Sequence, residues 1–75
     1  MLKVELKLEA NGRWIAEVPE LPGVLAHGVS REEAVPSAKI LALRVLAERL
    51  EHGQEIPLAD ALFSIPADYF PDKNG

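Results

Sequence analysis

Few side chains in this sequence could do chemistry, and they are scattered. The two histidines, His27 and His52, fall on different expected elements with no H-x-x-x-H or comparable pairing, so they read as surface or hydrogen-bonded residues and not as a metal pair. Cysteine is absent, which removes disulfides, thiolate ligands and a thiol nucleophile together. The hydroxyls Ser30, Ser37, Ser64 and Tyr69 form no Ser-His-Asp arrangement and no nucleophile elbow. Glu5 and Glu17 become neighbours if the first two strands pair as argued below, but metal-assisted hydrolysis needs more converging acids than one pair. Gly23 and Gly28 flank a short strand and read as turn glycines, not as a phosphate cradle. The expectation is a protein without catalytic residues, metal ligands or a cofactor, and not an enzyme.

The elements that position these residues follow from periodicity and punctuation. Leu2, Val4, Leu6 and Leu8 alternate with Lys3, Glu5, Lys7 and Glu9, which predicts a half-buried strand. Asn11-Gly12 marks a hairpin, with Arg13 to Val18 returning. A two-residue turn would send Trp14 and Val18 outward with the charges. A three-residue loop Ala10-Asn11-Gly12, with Gly12 left-handed, instead pairs Leu8 with Trp14, Leu6 with Ala16 and Val4 with Val18, and it accepts Glu5 opposite Glu17. This register puts Trp14 in the core rather than at a ligand.

Pro19-Glu20-Leu21-Pro22-Gly23 is a rigid corner, because two prolines remove two ladder donors. Val24 to Gly28 makes a third strand. Ser30-Arg31-Glu32-Glu33 has the form of a capping box and opens a helix running to about His52, with Gly53 as its left-handed stop. Pro36 lies inside that helix and should bend its first turns. Ala61 to Ile65 reads as a fourth strand and residues 68–75 as a loose polar end. One domain covers 1–75, of α+β class and order β-β-β-α-β: an antiparallel three-stranded sheet plus a fourth strand, covered by one helix.

At 100° per residue, Ala34, Val35, Ala38, Leu41, Ala42 and Val45 form the helix face that should cover the sheet. Ile40, Leu43, Ala47 and Leu50 form a second apolar row roughly opposite. Either the C-terminal segment, with Leu58, Leu62, Phe63, Tyr69 and Phe70, folds over this row, or the row is an interface. For so small a core the second reading is preferred, giving a homo-oligomer, a dimer or a tetramer, or a docked partner.

Charge narrows the partner. Residues 1–50 carry seven acids and seven bases, so the whole net charge of -4 comes from the last 25 residues. No basic cluster is present to neutralise phosphates, and direct nucleic-acid binding is not expected. With 48% hydrophobic and 27% charged residues the chain is too apolar for disorder, and it has no run able to span a membrane. The alternating start Met1-Leu2-Lys3-Val4-Glu5 lacks the order of a secretory signal, which implies a cytoplasmic protein.

One order of residues is more specific than any single motif. Gly12, the aromatic Trp14, Ala16-Glu17-Val18-Pro19-Glu20-Leu21-Pro22-Gly23, a second glycine at Gly28, and Ser30-Arg31-Glu32-Glu33-Ala34 opening the helix together resemble the HicB-like antitoxin family. Its pattern is a glycine turn, an aromatic, A-x-V-P-x-L-P-G, a glycine and S/T-x-x-E-A. Gly53-Gln54-Glu55-Ile56-Pro57 is similar to the family's G-x-x-I/L-P exit, so the likeness covers most of the chain; Pro36 departs from it. The resemblance implies a degenerate ribonuclease H-like domain without catalytic acids, which binds and inhibits a small basic messenger-RNA-cleaving toxin, HicA-like. Family members usually add a C-terminal DNA-binding unit, for which this chain has no room, so autorepression should not carry over. The alternative is an orphan ribonuclease H-like relic or nucleic-acid-processing enzyme, which rests on fold analogy alone.

Overall fold

The computed structural model describes residues 1–57 and 61–69. Three strands, β1 (Glu5–Leu8), β2 (Trp14–Glu17) and β3 (Leu25–Gly28), are followed by one helix, α1 (Arg31–Glu51). The protein is therefore α+β, with an antiparallel sheet in the order β1-β2-β3.

The hairpin has the three-residue loop. Leu8 pairs with Trp14, Leu6 with Ala16 and Glu5 with Glu17. Gly12 stands at φ 84°, a backbone region that costs other L-residues energy, and its N–H donates to the Glu9 carbonyl at 2.9 Å. The Asn11 side-chain oxygen accepts from the Arg13 N–H at 3.0 Å. At the proline corner two tight turns follow one another: Leu21 N–H donates to Val18 C=O and Val24 N–H to Leu21 C=O, each at 3.0 Å, while Val18 N–H reaches Val24 C=O. Chain reversal here swings Leu21 inward, so that Val18, Leu21 and Val24 are the largest fully buried side chains.

Ser30 caps α1: its Oγ accepts from the Glu33 N–H at 3.2 Å. The Glu33 carboxylate reaches back to the Val29 N–H at 3.4 Å, one residue earlier than in the reciprocal capping box. The helix ends as expected, with His52 as C-cap, Gly53 at φ 75°, and bonds from Gly53 N–H to Leu50 C=O and from Gln54 N–H to Arg49 C=O. Pro36 does not interrupt it. Glu32 and Pro36 are both exposed, so the carbonyl that loses its intrahelical partner lies on the face that water reaches.

Two apolar groups form the core. Around Val18, Leu21 and Val24 gather Ala42, Leu46 and Ile56, with Leu2, Val4, Leu41 and Val45 partly buried against them. Ala16, Ala34 and Ala38 form the other, flanked by Trp14, Ala26 and Val35. Burial along α1 follows Ala34, Ala38, Ala42 and Leu46, an i+4 row, whereas Val35, Leu41 and Val45 of the expected face are only half-buried.

The fourth strand is not formed. Residues 61–66 make a turn followed by irregular backbone and join no ladder. Ala61-Leu62-Phe63-Ser64-Ile65 is a short apolar run without alternation, and such a run does not by itself demand a strand. The expected loose end is also corrected in part, since Asp68 lies in a single 3₁₀ turn, Ala67–Tyr69. Residues 70–75 fall outside the described residues.

Candidate protein-interaction surface

The elements separate residues that build the fold from residues left exposed. Of the sequence-expected motif, Gly12, Pro19, Leu21, Pro22 and Gly23 form the hairpin loop and the corner, with Gly23 at φ 90°. Ala16 and Ala34 are fully buried against one another's cluster. Gly28 is required by close approach: a Cβ there would stand 2.7 Å from the Ala34 nitrogen and 3.1 Å from its Cα. Ser30 and Glu33 fix the helix start immediately above that contact. These residues are occupied with holding α1 on the sheet.

Trp14 is half-buried and packs against the alanine cluster, with the Arg31 guanidinium 5.4 Å from its ring centroid. That stacking covers part of the ring that the helix start leaves open, a cation–π contact between the first helical residue and β2.

On the sheet face away from α1, Glu5 and Glu17 lie side by side as the register requires, and both are exposed. His27 Nε2 stands 3.7 Å from Glu9 on the same sheet. His52 Nδ1 lies 2.8 Å from the Glu48 carbonyl oxygen, a bond local to the helix end. Among the described residues no three His, Asp or Glu side chains converge as a metal-ligand set. No helix among them is long and apolar enough to cross a membrane.

The second helix row is open. Ile40, Leu43 and Leu50 are 52%, 57% and 46% exposed, and Ala47 between them is exposed too. Ala61 and Leu62 line a shallow depression with Leu43, Leu46, Met1 and Leu2, yet Leu62 and Phe63 stay largely exposed and do not cover the row. Leu58, Phe70 and the side chain of Tyr69, which were also expected to fold over it, lie outside what is described. A further apolar cleft runs between Leu2 and Val4 on one side and Ala42 and Leu43 on the other.

Sequence reasoning missed a second apolar surface. Leu6 and Leu8, expected on the core side of β1, are on the correct face but are 42% and 57% exposed. The helix contacts β3 and β2, while β1 projects beyond it as an edge strand. Alternation reports which face a residue occupies, not whether the covering layer extends that far. The small side chains at Gly28, Ala34, Ala38 and Ala42 seat α1 over β2 and β3, and this was the available signal. Comparison of the chain with protein-family models, with curated proteins and with solved structures finds no match.

Proposed function

We propose that this chain is an antitoxin-type binding protein of the HicB-like kind, a degenerate ribonuclease H-like domain that neutralises a small basic RNA-cleaving toxin, HicA-like, by direct contact. The observation that carries the reading is the division of labour among the motif residues. Gly12, Gly23, Gly28, Ser30, Glu33 and Ala34 serve the geometry of a capped helix on a three-stranded sheet, which leaves recognition to exposed apolar side chains. The row Ile40, Leu43, Ala47 and Leu50 is assigned to the toxin. It offers apolar area on a chain of net charge -4, with Glu48, Glu51 and Glu55 toward its C-terminal end, and this suits a partner that must carry positive charge to hold RNA.

The test is cleavage of a messenger RNA by a purified HicA-like toxin. Stoichiometric addition of the full chain should abolish cleavage, and Leu43→Glu should weaken inhibition while the chain remains folded by circular dichroism. Undiminished cleavage at saturating chain, or full inhibition by Leu43→Glu, would count against the reading or against that surface respectively.

A further inference from the structure

β1 has one hydrogen-bonded side and one open side. Glu9 N–H donates to Arg13 C=O at 2.8 Å, one step beyond the last pair of the β1–β2 ladder and in its register, so by alternation the odd residues of β1 turn their backbone groups toward β2 and the even ones, Leu6 and Leu8, turn theirs outward. Among the described residues nothing pairs with that outer side. An open edge bearing two exposed leucines invites another strand, and the order of charges along it says which.

Reading outward from Leu6 in both directions, the neighbours are Glu5 and Lys7, then Val4 and Leu8, then Lys3 and Glu9. We propose that two copies of this chain pair antiparallel along β1 about a twofold axis at Leu6, making one continuous six-stranded sheet. Leu6 then faces the second copy's Leu6, Glu5 faces its Lys7, Val4 its Leu8, and Lys3 its Glu9. Every charged residue meets its opposite and every apolar residue another apolar one. The outward backbone groups of Leu6 and Leu8 are those this register bonds.

Neighbouring registers fail. Sliding by two residues sets Glu5 against Glu5 with Lys3 against Lys7, or Lys7 against Lys7 with Glu5 against Glu9. Sliding by one sets leucines among the charges. The pairing also resolves an oddity within the chain, since Glu5 lies directly across from Glu17 and would gain Lys7 of the second copy on its other side. The outermost pair is the less free one, because Glu9 also stands 3.7 Å from His27 and the Lys3 N–H donates to Glu20. The inner pair therefore carries the test. This pairing is separate from toxin binding and stands whether or not a toxin is bound.

Sedimentation velocity on the full chain, with the dissociation constant measured for wild type, Glu5→Lys, Lys7→Glu and the combined variant, decides it. Each single reversal places like charges together twice per dimer and should weaken association by roughly tenfold or more. The combined variant restores both pairs and should return to within about threefold of wild type. Glu5→Lys should meanwhile leave the unfolding midpoint of dilute monomer unchanged or raised, since it removes the Glu5–Glu17 juxtaposition. A wild type that stays monomeric at millimolar concentration overturns the proposal. So does a dimer indifferent to the single reversals, a combined variant as weak as either single one, or an oligomer that only Leu43→Glu dissolves.

Discussion

Gly28 and Gly12 are both glycine for reasons that differ, and substitution separates them. At Gly12 nothing lies within 4 Å of an added Cβ and the cost is the left-handed backbone alone, so Gly12→Ala should lose about 1 kcal/mol, with Gly12→Asn recovering part of it. Gly28→Ala drives a methyl into helix backbone at 2.7 Å, which the helix can relieve only by moving; about 2 to 3 kcal/mol is expected in urea unfolding, and Gly28→Asn should not rescue it. Trp14 gives a third measurement at this scale. Being half-buried, Trp14→Ala should cost about 2 to 4 kcal/mol, toward the lower part of the range for aromatic truncations, and the folded protein should emit between the water-like and fully buried limits. That Trp14 faces the helix was legible from the hairpin register, but it is half-buried at the edge of the alanine cluster and not the core residue expected; its stacking under Arg31 was not legible, because no local spacing rule joins the middle strand to a helix start across Gly28.

The helix was the most legible element, since each end is written in side chains that bond their own backbone: Ser30 at the start and Gly53 at the stop. Ser30→Ala should therefore cost about 1 kcal/mol, seen as a lowered denaturation midpoint with unchanged helix content in the folded state. Which of its faces would be buried was legible only in outline. Periodicity gives Ala34, Ala38 and Ala42 but cannot rank Leu46 above Leu41 or Val45, because that depends on where Leu21, Val24 and Ile56 converge after a corner and a helix exit. The absent fourth strand has the same origin: a strand exists only with a partner ladder, and nothing in residues 61–65 identifies one.

At the scale of the whole molecule, one helix lies over β2 and β3, and among the apolar side chains it leaves exposed are the row through Leu43 on the helix and Leu6 with Leu8 at the sheet edge. The helix row could be read from spacing; the edge could not, since it results from how far the helix reaches. Leu43→Glu should leave folding stability within about 0.5 kcal/mol of wild type, as for other exposed positions, so that any effect on partner binding is attributable to the surface itself. The alternating direction of the backbone along β1 has one more consequence. Lys7 and Glu9 have their amides inside the hairpin ladder, whereas Leu6 and Leu8 have theirs on the outer side, so adjacent residues of one strand are divided into two populations by hydrogen–deuterium exchange. In dilute protein the amides of Leu6 and Leu8 should lose their protons to solvent far faster than those of Lys7 and Glu9. Slowing of that pair alone, as concentration rises, would make the strand its own gauge of whether its open side is occupied.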